Sequence, residues 1–287
     1  MTTTQATQKR DELMEKLSTE VESLKTSEGW RRWMRTASRF HSYSLRNQLL
    51  IAAQRPEATR VAGFNTWKSL GRSVLKGERG IAIMAPAGRY ASEGKPATSD
   101  VEDSVEDEPA QSRTAFRVVY VFDISQTDGL ELSEMSLPVL DQPGQERFFE
   151  SLRCVTRELG IELITTDVGR GEARGWYEAE SHRITILNTF PVADQCATLT
   201  HELAHALDPR CNGSQTATRA ERELVAESVA YIVGTRAGLA MDDASANYTA
   251  SWGADAGELQ RLAASVLEIS EELDNHIAAV DQIPLAA

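Results

Sequence analysis

Two histidines and a glutamate stand at a spacing that suits a divalent metal ion. His201, Glu202 and His205 form the pattern HExxH within a stretch of helical periodicity. On an α-helix, residues four apart lie one turn above each other, so both imidazoles face the same way. Glu202 then lies near the open position of a metal, where it can take a proton from water. The pattern predicts a helix that presents a hydrolytic metal site.

A second predicted helix, from about Thr218 to Arg236, carries two further carboxylates. Glu223 and Glu227 lie one turn apart and project from the same side of this helix. Two histidines and one glutamate are a known zinc ligand set, with water in the fourth place. The spacing allows either glutamate as the third ligand, and the alternative is that both belong to a solvated acidic face. We predict one Zn²⁺ ion, bound by His201, His205 and one of these glutamates.

The two segments HELAH and ELVAESVA, taken together, resemble the zincin metallopeptidases of the gluzincin type. This resemblance implies that Glu223 is the third ligand and that Glu227 supports a ligand histidine from outside the ligand set. It also implies that Glu202 is the catalytic base of peptide hydrolysis. Three residues are candidates for stabilising the oxyanion, and the sequence leaves the choice open: Tyr177, His182 and Tyr231.

The charge of the chain is distributed unevenly. The whole chain carries −13, but residues 30–90 contain twelve basic residues and two acidic ones. Such asymmetry suggests that this part meets a polyanion. Cations interleaved with aromatic rings suit single-stranded nucleic acid, because the cations bind phosphates and unpaired bases stack on rings. The alternative for the aromatic rings is a place in the core. The candidate contact residues are Arg31, Arg35, Arg39, Tyr43, Arg46, Trp67, Lys68, Arg72 and Lys76.

The same part of the chain, from about residue 10 to 130, resembles the amino-terminal domain of ArdC-type antirestriction proteins. The resemblance lies in three segments that occur in order, YSxxNQLLI, GFxTWxxLGRxVxKGExGI and VFDxxQTxG. It implies a module that binds single-stranded DNA, followed by a zincin-like domain. It further implies a protein of plasmids and other mobile elements that protects entering single-stranded DNA, or countermands restriction, during conjugation.

We predict an α+β fold in two domains. Residues 1–130 are the ArdC-like, single-stranded-DNA-binding α/β domain, and residues 146–287 are a mostly helical zincin-like metallopeptidase domain with a small sheet. Residues 131–145 are the linker. Residues 87–113 are rich in acidic and small residues and should form a mobile loop.

Several secondary-structure elements can be placed from periodicity. One helix is expected from about residue 28 to 53, and a strand at 80–85 should pair with 116–123. Residues 175–178 and 183–187 should form a hairpin. We expect its second strand to be the edge strand beside the metal helix.

Composition limits the location and the class of function. The chain has no apolar run of membrane-spanning length, no secretory segment at its start, and an odd number of cysteines without CxxC spacing. We therefore expect a cytoplasmic protein with no membrane partner. Its expected partners are single-stranded DNA and an unidentified protein or peptide substrate. A pure single-strand-binding protein with a structural metal is the alternative. A nuclease fits less well, because two-metal nucleases favour carboxylate clusters.

Overall fold

A computed structural model describes residues 3–86, 116–132, 139–211, 217–241 and 255–281. The helices within these ranges are α1 Thr3–Ser23, α2 Ser27–Arg39, α3 Leu45–Gln54, α4 Phe64–Ser69, α5 Gln142–Glu158, α6 Val192–Leu207, α7 Arg219–Ala237 and α8 Ala256–Asp281. The strands are β1 Val61–Gly63, β2 Arg72–Val74, β3 Ile81–Pro86, β4 Phe116–Asp123, β5 Thr127–Gly129, β6 Glu162–Thr166, β7 Gly175–Glu178 and β8 Arg183–Leu187. This mixture confirms the α+β class. The predicted acidic loop at 87–113 lies outside the described residues.

The amino-terminal region contains two small antiparallel sheets. Strand β4 lies between β1 and β3, and β2 pairs with β5. The predicted pairing of β3 with β4 is confirmed, with a register that runs from Ile81 opposite Val121 to Pro86 opposite Phe116. Position 129 in β5 requires glycine, because its φ is +138° and an added Cβ would lie 2.4 Å from the Gly71 carbonyl oxygen.

The prediction of a single helix at residues 28–53 is wrong, because the structure has two helices, α2 and α3, with a break between them. The side-chain amide of Gln48 stabilises this break. It donates to the carbonyl oxygens of Phe40 and Tyr43 at 3.1 and 3.0 Å and accepts the indole N–H of Trp33 at 3.2 Å. This fully buried glutamine satisfies the carbonyl of Phe40, which ends α2, and that of Tyr43 in the turn. The chain therefore turns where periodicity alone predicts a continuous helix.

Helix α3 covers the outer edge of β3 with two side-chain amides. Asn47 donates to the Met84 carbonyl and accepts the Met84 N–H, both at 2.9 Å. Gln54, two turns further on, does the same with Ala82 at 2.8 and 3.0 Å. Each amide acts as one residue of a neighbouring strand. An edge that would otherwise expose unpaired backbone groups is thereby closed.

We expect Asn47→Ala to lower the free energy of unfolding by about 1–3 kcal/mol, because both Met84 backbone groups lose their partner. Urea denaturation followed by circular dichroism measures this change. Asn65→Ala on the exposed side of α4 is the matched control, and it should cost less than about 0.5 kcal/mol. Equal stability of the two variants would contradict the role given to Asn47.

The carboxyl-terminal sheet has the order β6-β8-β7. The hairpin of β7 and β8 is confirmed, but the expectation that β8 is the edge strand is wrong. Strand β8 is central because β6, which precedes both in sequence, pairs with it in parallel through Glu162 opposite Arg183. Strands β6 and β7 are therefore the edge strands, and β7 is the one that contacts α6. Both β7 and β8 contact α6.

The amino-terminal helices and the carboxyl-terminal helices share one hydrophobic core. A continuous cluster of buried side chains extends from Leu13 in α1 to Leu273 in α8. Helix α2 packs on α7, and the Trp30 indole donates to Ser228 Oγ at 2.9 Å. The two-domain division and its boundaries stay a prediction.

Candidate metal centre

Helices α6 and α7 pack side by side and carry the predicted metal ligands. Leu199 and Leu203 are fully buried, so the apolar side of α6 faces the core and its opposite side turns His201 and His205 towards α7. Helix α7 begins with a capping box. The Thr218 hydroxyl accepts the Glu221 N–H, and the Glu221 side chain accepts the Thr218 N–H.

Three ligand atoms converge between the two helices. Nε2 of His201 and Nε2 of His205 are 3.1 Å apart. Oε2 of Glu223 lies 3.5 Å from the first and 3.7 Å from the second. Tetrahedral zinc with bonds of about 2.0–2.1 Å requires ligand atoms about 3.3 Å apart. The three separations bracket this value, so the residues fit a divalent metal ion.

The outer ring nitrogens of the two histidines have different neighbours. Oε1 of Glu227 is 3.7 Å from Nδ1 of His201, and Cys211 Sγ is 3.7 Å from Nδ1 of His205. Glu223 and Glu227 thus face opposite nitrogens of His201, although they lie one turn apart on α7. This arrangement favours Glu223 as the ligand and Glu227 as the carboxylate that orients His201, as the gluzincin resemblance implies.

Glu202 lies beside the ligand atoms in a buried environment, with only 6% of its surface exposed. Burial raises the pKa of Glu202, while the nearby imidazoles of His201 and His205 lower it. The backbone N–H of Tyr177 in β7 hydrogen-bonds its carboxylate. A carboxyl group held in place, with a pKa raised towards neutrality, is suited to general-base chemistry.

The electrostatic environment of His205 favours positive charge. Burial lowers the pKa of His205, but its contacts with Cys211 and Glu223, together with the charges of Glu202 and Glu223, raise it to about 10. The side chains of His201 and His205 beside Glu223 hold the pKa of this carboxyl group well below its usual range. The same carboxylates attract a divalent cation.

The structure separates the three oxyanion candidates. Tyr177 lines a cavity of 240 Å³ together with His205 and Glu223. His182 lies behind it, with Nδ1 3.0 Å from the Tyr177 hydroxyl and Nε2 3.2 Å from the Leu159 carbonyl. Tyr231 is only 6% exposed within the core cluster. Of the three, Tyr177 is the one that lines the cavity at the site.

Known proteins resemble this chain in both sequence and fold. Residues 7–122 match the sequence family described as the N-terminal domain of anti-restriction factor ArdC. A crystal structure of antirestriction ArdC protein from the R388 plasmid, bound to Mn(II), has the same fold with a TM-score of 0.52 and 22% identity, covering 82% of this chain and 83% of that one. Residues 7–122 are thus similar to the ArdC amino-terminal domain, and the R388 protein shares the fold of the chain. The metal-free R388 ArdC structure matches with the same TM-score at 23% identity, covering 82% and 84%.

A longer relative also matches this chain. The uncharacterized protein pXO2-81 of Bacillus anthracis is 25% identical over 312 residues, which cover 94% of this chain. The alignment covers 51% of that relative, so the chain spans about half its length. None of the helices within the described ranges is both long and apolar enough to cross a membrane.

Two of the predicted nucleic-acid contacts have a role in the fold. Trp67 is fully buried and its indole donates to the Phe122 carbonyl at 2.9 Å, so it is a core residue, the alternative that the sequence left open. Arg72 donates to Thr127 Oγ1, the Thr127 carbonyl and the Leu130 carbonyl at 2.5–2.9 Å, so its guanidinium joins β2 to β5. Both residues stabilise the amino-terminal region.

The other candidate contacts lie on several surfaces. Arg35, Lys68 and Lys76 are exposed, and Arg31 is half-buried. Arg39 is exposed and donates to the Ala58 carbonyl at 3.2 Å. Tyr43 is half-buried against Phe40, with ring centroids 6.1 Å apart, and burial raises its pKa.

One face of β4 carries aromatic rings that the sequence reasoning missed. Phe116 and Tyr120, four residues apart on one strand, are 43% and 40% exposed. The Arg46 guanidinium lies 5.5 Å from the Phe116 ring centroid, and Lys9 Nζ lies 5.6 Å from that of Tyr120. The signal was the i, i+4 spacing of aromatics in the predicted strand, but the two cations come from α1 and α3, remote in sequence.

Proposed function

We propose that this chain is a metal-dependent peptidase joined to a module that binds single-stranded DNA. The observation that carries the peptidase part is the convergence of His201 Nε2, His205 Nε2 and Glu223 Oε2 within 3.7 Å, with buried Glu202 beside them. We propose Zn²⁺ as the ion, because two imidazoles and a carboxylate suit it.

The side chains divide the work of hydrolysis among themselves. A divalent metal held by His201, His205 and Glu223 would polarise the scissile carbonyl and make water more acidic. Glu202 takes the proton from the attacking water and passes it to the leaving amine. Tyr177, which lines the cavity, is the proposed donor to the oxyanion once its hydroxyl turns away from His182, and Glu227 is the proposed carboxylate that fixes the ring of His201.

A catalytic site explains the arrangement better than a structural site does. Structural zinc sites are closed by four protein ligands, whereas catalytic sites have three and keep one position open. Within the described residues, the ligand group consists of three side chains, and Glu223 is 46% exposed. A structural metal would also leave the buried carboxylate of Glu202 without a purpose.

Cleavage of peptides tests the peptidase part. We expect the protein with Zn²⁺ or Mn²⁺ to produce new amino termini in a mixture of denatured proteins, read by mass spectrometry. A chelator should remove these products, and restored metal should return them. Identical peptide maps with and without metal would contradict the proposed activity.

The aromatic face of β4 supports the DNA-binding part. Exposed rings flanked by cations let bases stack while the cations neutralise phosphates. Phe116 with Arg46 and Tyr120 with Lys9 provide two such pairs on one face of β4. We propose this face as the principal contact, with Arg31, Arg35, Arg39, Lys68 and Lys76 as auxiliary cations.

We expect Phe116→Ala/Tyr120→Ala to weaken binding of a fluorescent oligo-dT about 30-fold or more, since each stacked base contributes about 1–3 kcal/mol. Fluorescence anisotropy at low salt measures the change. Phe64→Ala is the matched control, because Phe64 is an exposed ring on α4, 54% accessible, outside this face. Unchanged affinity in the double variant would remove β4 from the contact surface.

Antirestriction is the biological role that we propose for the two parts together. DNA binding would bring the peptidase to entering single strands of a mobile element, where it would cleave a protein that threatens them. The alternative is a pure single-strand-binding protein whose metal stabilises the fold.

A further inference from the structure

A cavity beside the metal ligands contains unused positive charge. It measures 240 Å³ and is lined by Tyr177, Ala179, His205, Cys211, Arg219, Arg222 and Glu223. The Nε atom of Arg222 is buried and has no hydrogen-bond partner among the described residues. A buried cationic donor without a partner is costly, so it indicates a ligand that supplies the acceptor.

The charges around the cavity indicate a ligand with a single negative charge. Arg219 Nε lies 3.8 Å from Glu223 Oε1, so the carboxylate already balances this exposed guanidinium in part. Arg222, one turn further along α7, lines the same cavity, and its Nε–H group lacks an acceptor among the described residues. Both lie in the first turn of α7, where the helix dipole adds positive potential.

The size and walls of the cavity favour an amino-acid side chain over a nucleotide. Its volume is below the roughly 300–1,000 Å³ of pockets for larger ligands. Tyr177 lies in β7 and Ala179 directly follows it. Because β7 is an edge strand, an extended peptide can pair with it as an additional strand of the sheet. A peptide in that position has its side chains beside His205 and Glu223.

We propose that Arg222, supported by Arg219, is a specificity residue that binds a carboxylate of the peptide substrate next to the scissile bond. This inference rests on the proposed peptidase function. The substrates would then be acidic peptides, and the carboxylate could come from an Asp or Glu side chain or from a free carboxyl terminus. Arg222 would position the peptide so that its carbonyl reaches Glu202 and the metal.

Peptide binding without turnover tests the proposal. The probe is an acetylated, amidated synthetic peptide library in which one central position is Glu or Gln, presented to Zn²⁺-loaded Glu202→Gln protein. We expect Glu peptides to bind about tenfold more tightly than their Gln twins, as a charge-assisted hydrogen bond implies. Gln peptides with a free carboxyl terminus are measured in parallel. If only these peptides bind more tightly, the carboxylate that Arg222 binds is the carboxyl terminus of the peptide.

Three variants at two arginines complete the experiment. Added to Glu202→Gln, Arg222→Gln should abolish the preference, Arg222→Lys should keep part of it, and Arg261→Gln, at an exposed position of α8, should leave it intact. Metal content and unfolding midpoint confirm that each variant is folded. Equal binding of the Glu, the Gln and the free-carboxyl peptides, a preference that survives Arg222→Gln, or no binding of any peptide would overturn the proposal.

The outcomes separate this inference from the proposed function. Hydrolysis by the wild-type protein without any preference for acidic peptides would overturn the role of Arg222 alone. A preference for acidic peptides in binding, without hydrolysis by the wild-type protein, would overturn the peptidase and leave a carboxylate-binding seat.

Discussion

Glu202→Gln should reduce peptide hydrolysis by between about 100-fold and about 10,000-fold, the range expected when a general base is lost. Glutamine keeps the shape of glutamate and its hydrogen bond with the Tyr177 N–H, but it cannot accept the proton from water. The measurement is the rate of cleavage of a peptide identified as a substrate, at saturating Zn²⁺. Metal content and DNA affinity should remain those of the wild-type protein, because Glu202 is neither one of the three ligand residues nor on the β4 face.

The same variant distinguishes, in cells, between the peptidase and the pure single-strand-binding protein. If the chain only binds single strands, Glu202→Gln protects entering DNA in a conjugation assay as well as the wild type does. If peptide hydrolysis is required, protection is lost while DNA binding is retained. Full protection by a variant shown to lack hydrolysis would therefore remove the peptidase from the biological role.

Replacement of Glu223 and of Glu227, the two glutamates of α7, should weaken Zn²⁺ binding by very different factors. Glu223→Ala and His201→Ala should each abolish measurable Zn²⁺ binding in a competition titration with a chromophoric chelator, because a site with two protein ligands holds zinc poorly. Glu227→Ala should weaken binding only by about 10–100-fold, as expected for a carboxylate that orients a ligand histidine.

Glu180→Ala is a suitable control for these titrations, since this glutamate is exposed in the turn after β7 and outside the ligand group. A larger loss in Glu227→Ala than in Glu223→Ala would reverse the assignment of ligand and supporting carboxylate.

The metal centre could be predicted from sequence because its geometry is local to two helices. His201 and His205 are one turn apart, as are Glu223 and Glu227, and helical periodicity fixes which side chains share a face. The spacing could not decide between the glutamates. That choice depends on how α7 packs against α6, which places Glu223 at Nε2 of His201 and Glu227 at Nδ1.

The DNA-binding surface was harder to predict because burial depends on tertiary contacts. Composition places Trp67 and Arg72 among cations and aromatics, but the first fills the core and the second joins two strands. The cation–aromatic pairs on β4 cannot be predicted from the sequence, because Lys9 and Arg46 are each more than 60 residues away from the ring that they contact, Tyr120 and Phe116 respectively. Side-chain amides that close a strand edge, such as that of Asn47, are equally invisible before the fold is known.

An anomalous difference map, recorded at the zinc edge from crystals of the protein grown with Zn²⁺, tests most directly whether α6 and α7 form a metal centre. We expect one peak, about 2.0–2.2 Å from Nε2 of His201, Nε2 of His205 and Oε2 of Glu223, with Glu227 outside bonding distance. A map with no peak between these three side chains, or with its main peak elsewhere in the molecule, would contradict the metal centre and the hydrolysis built on it.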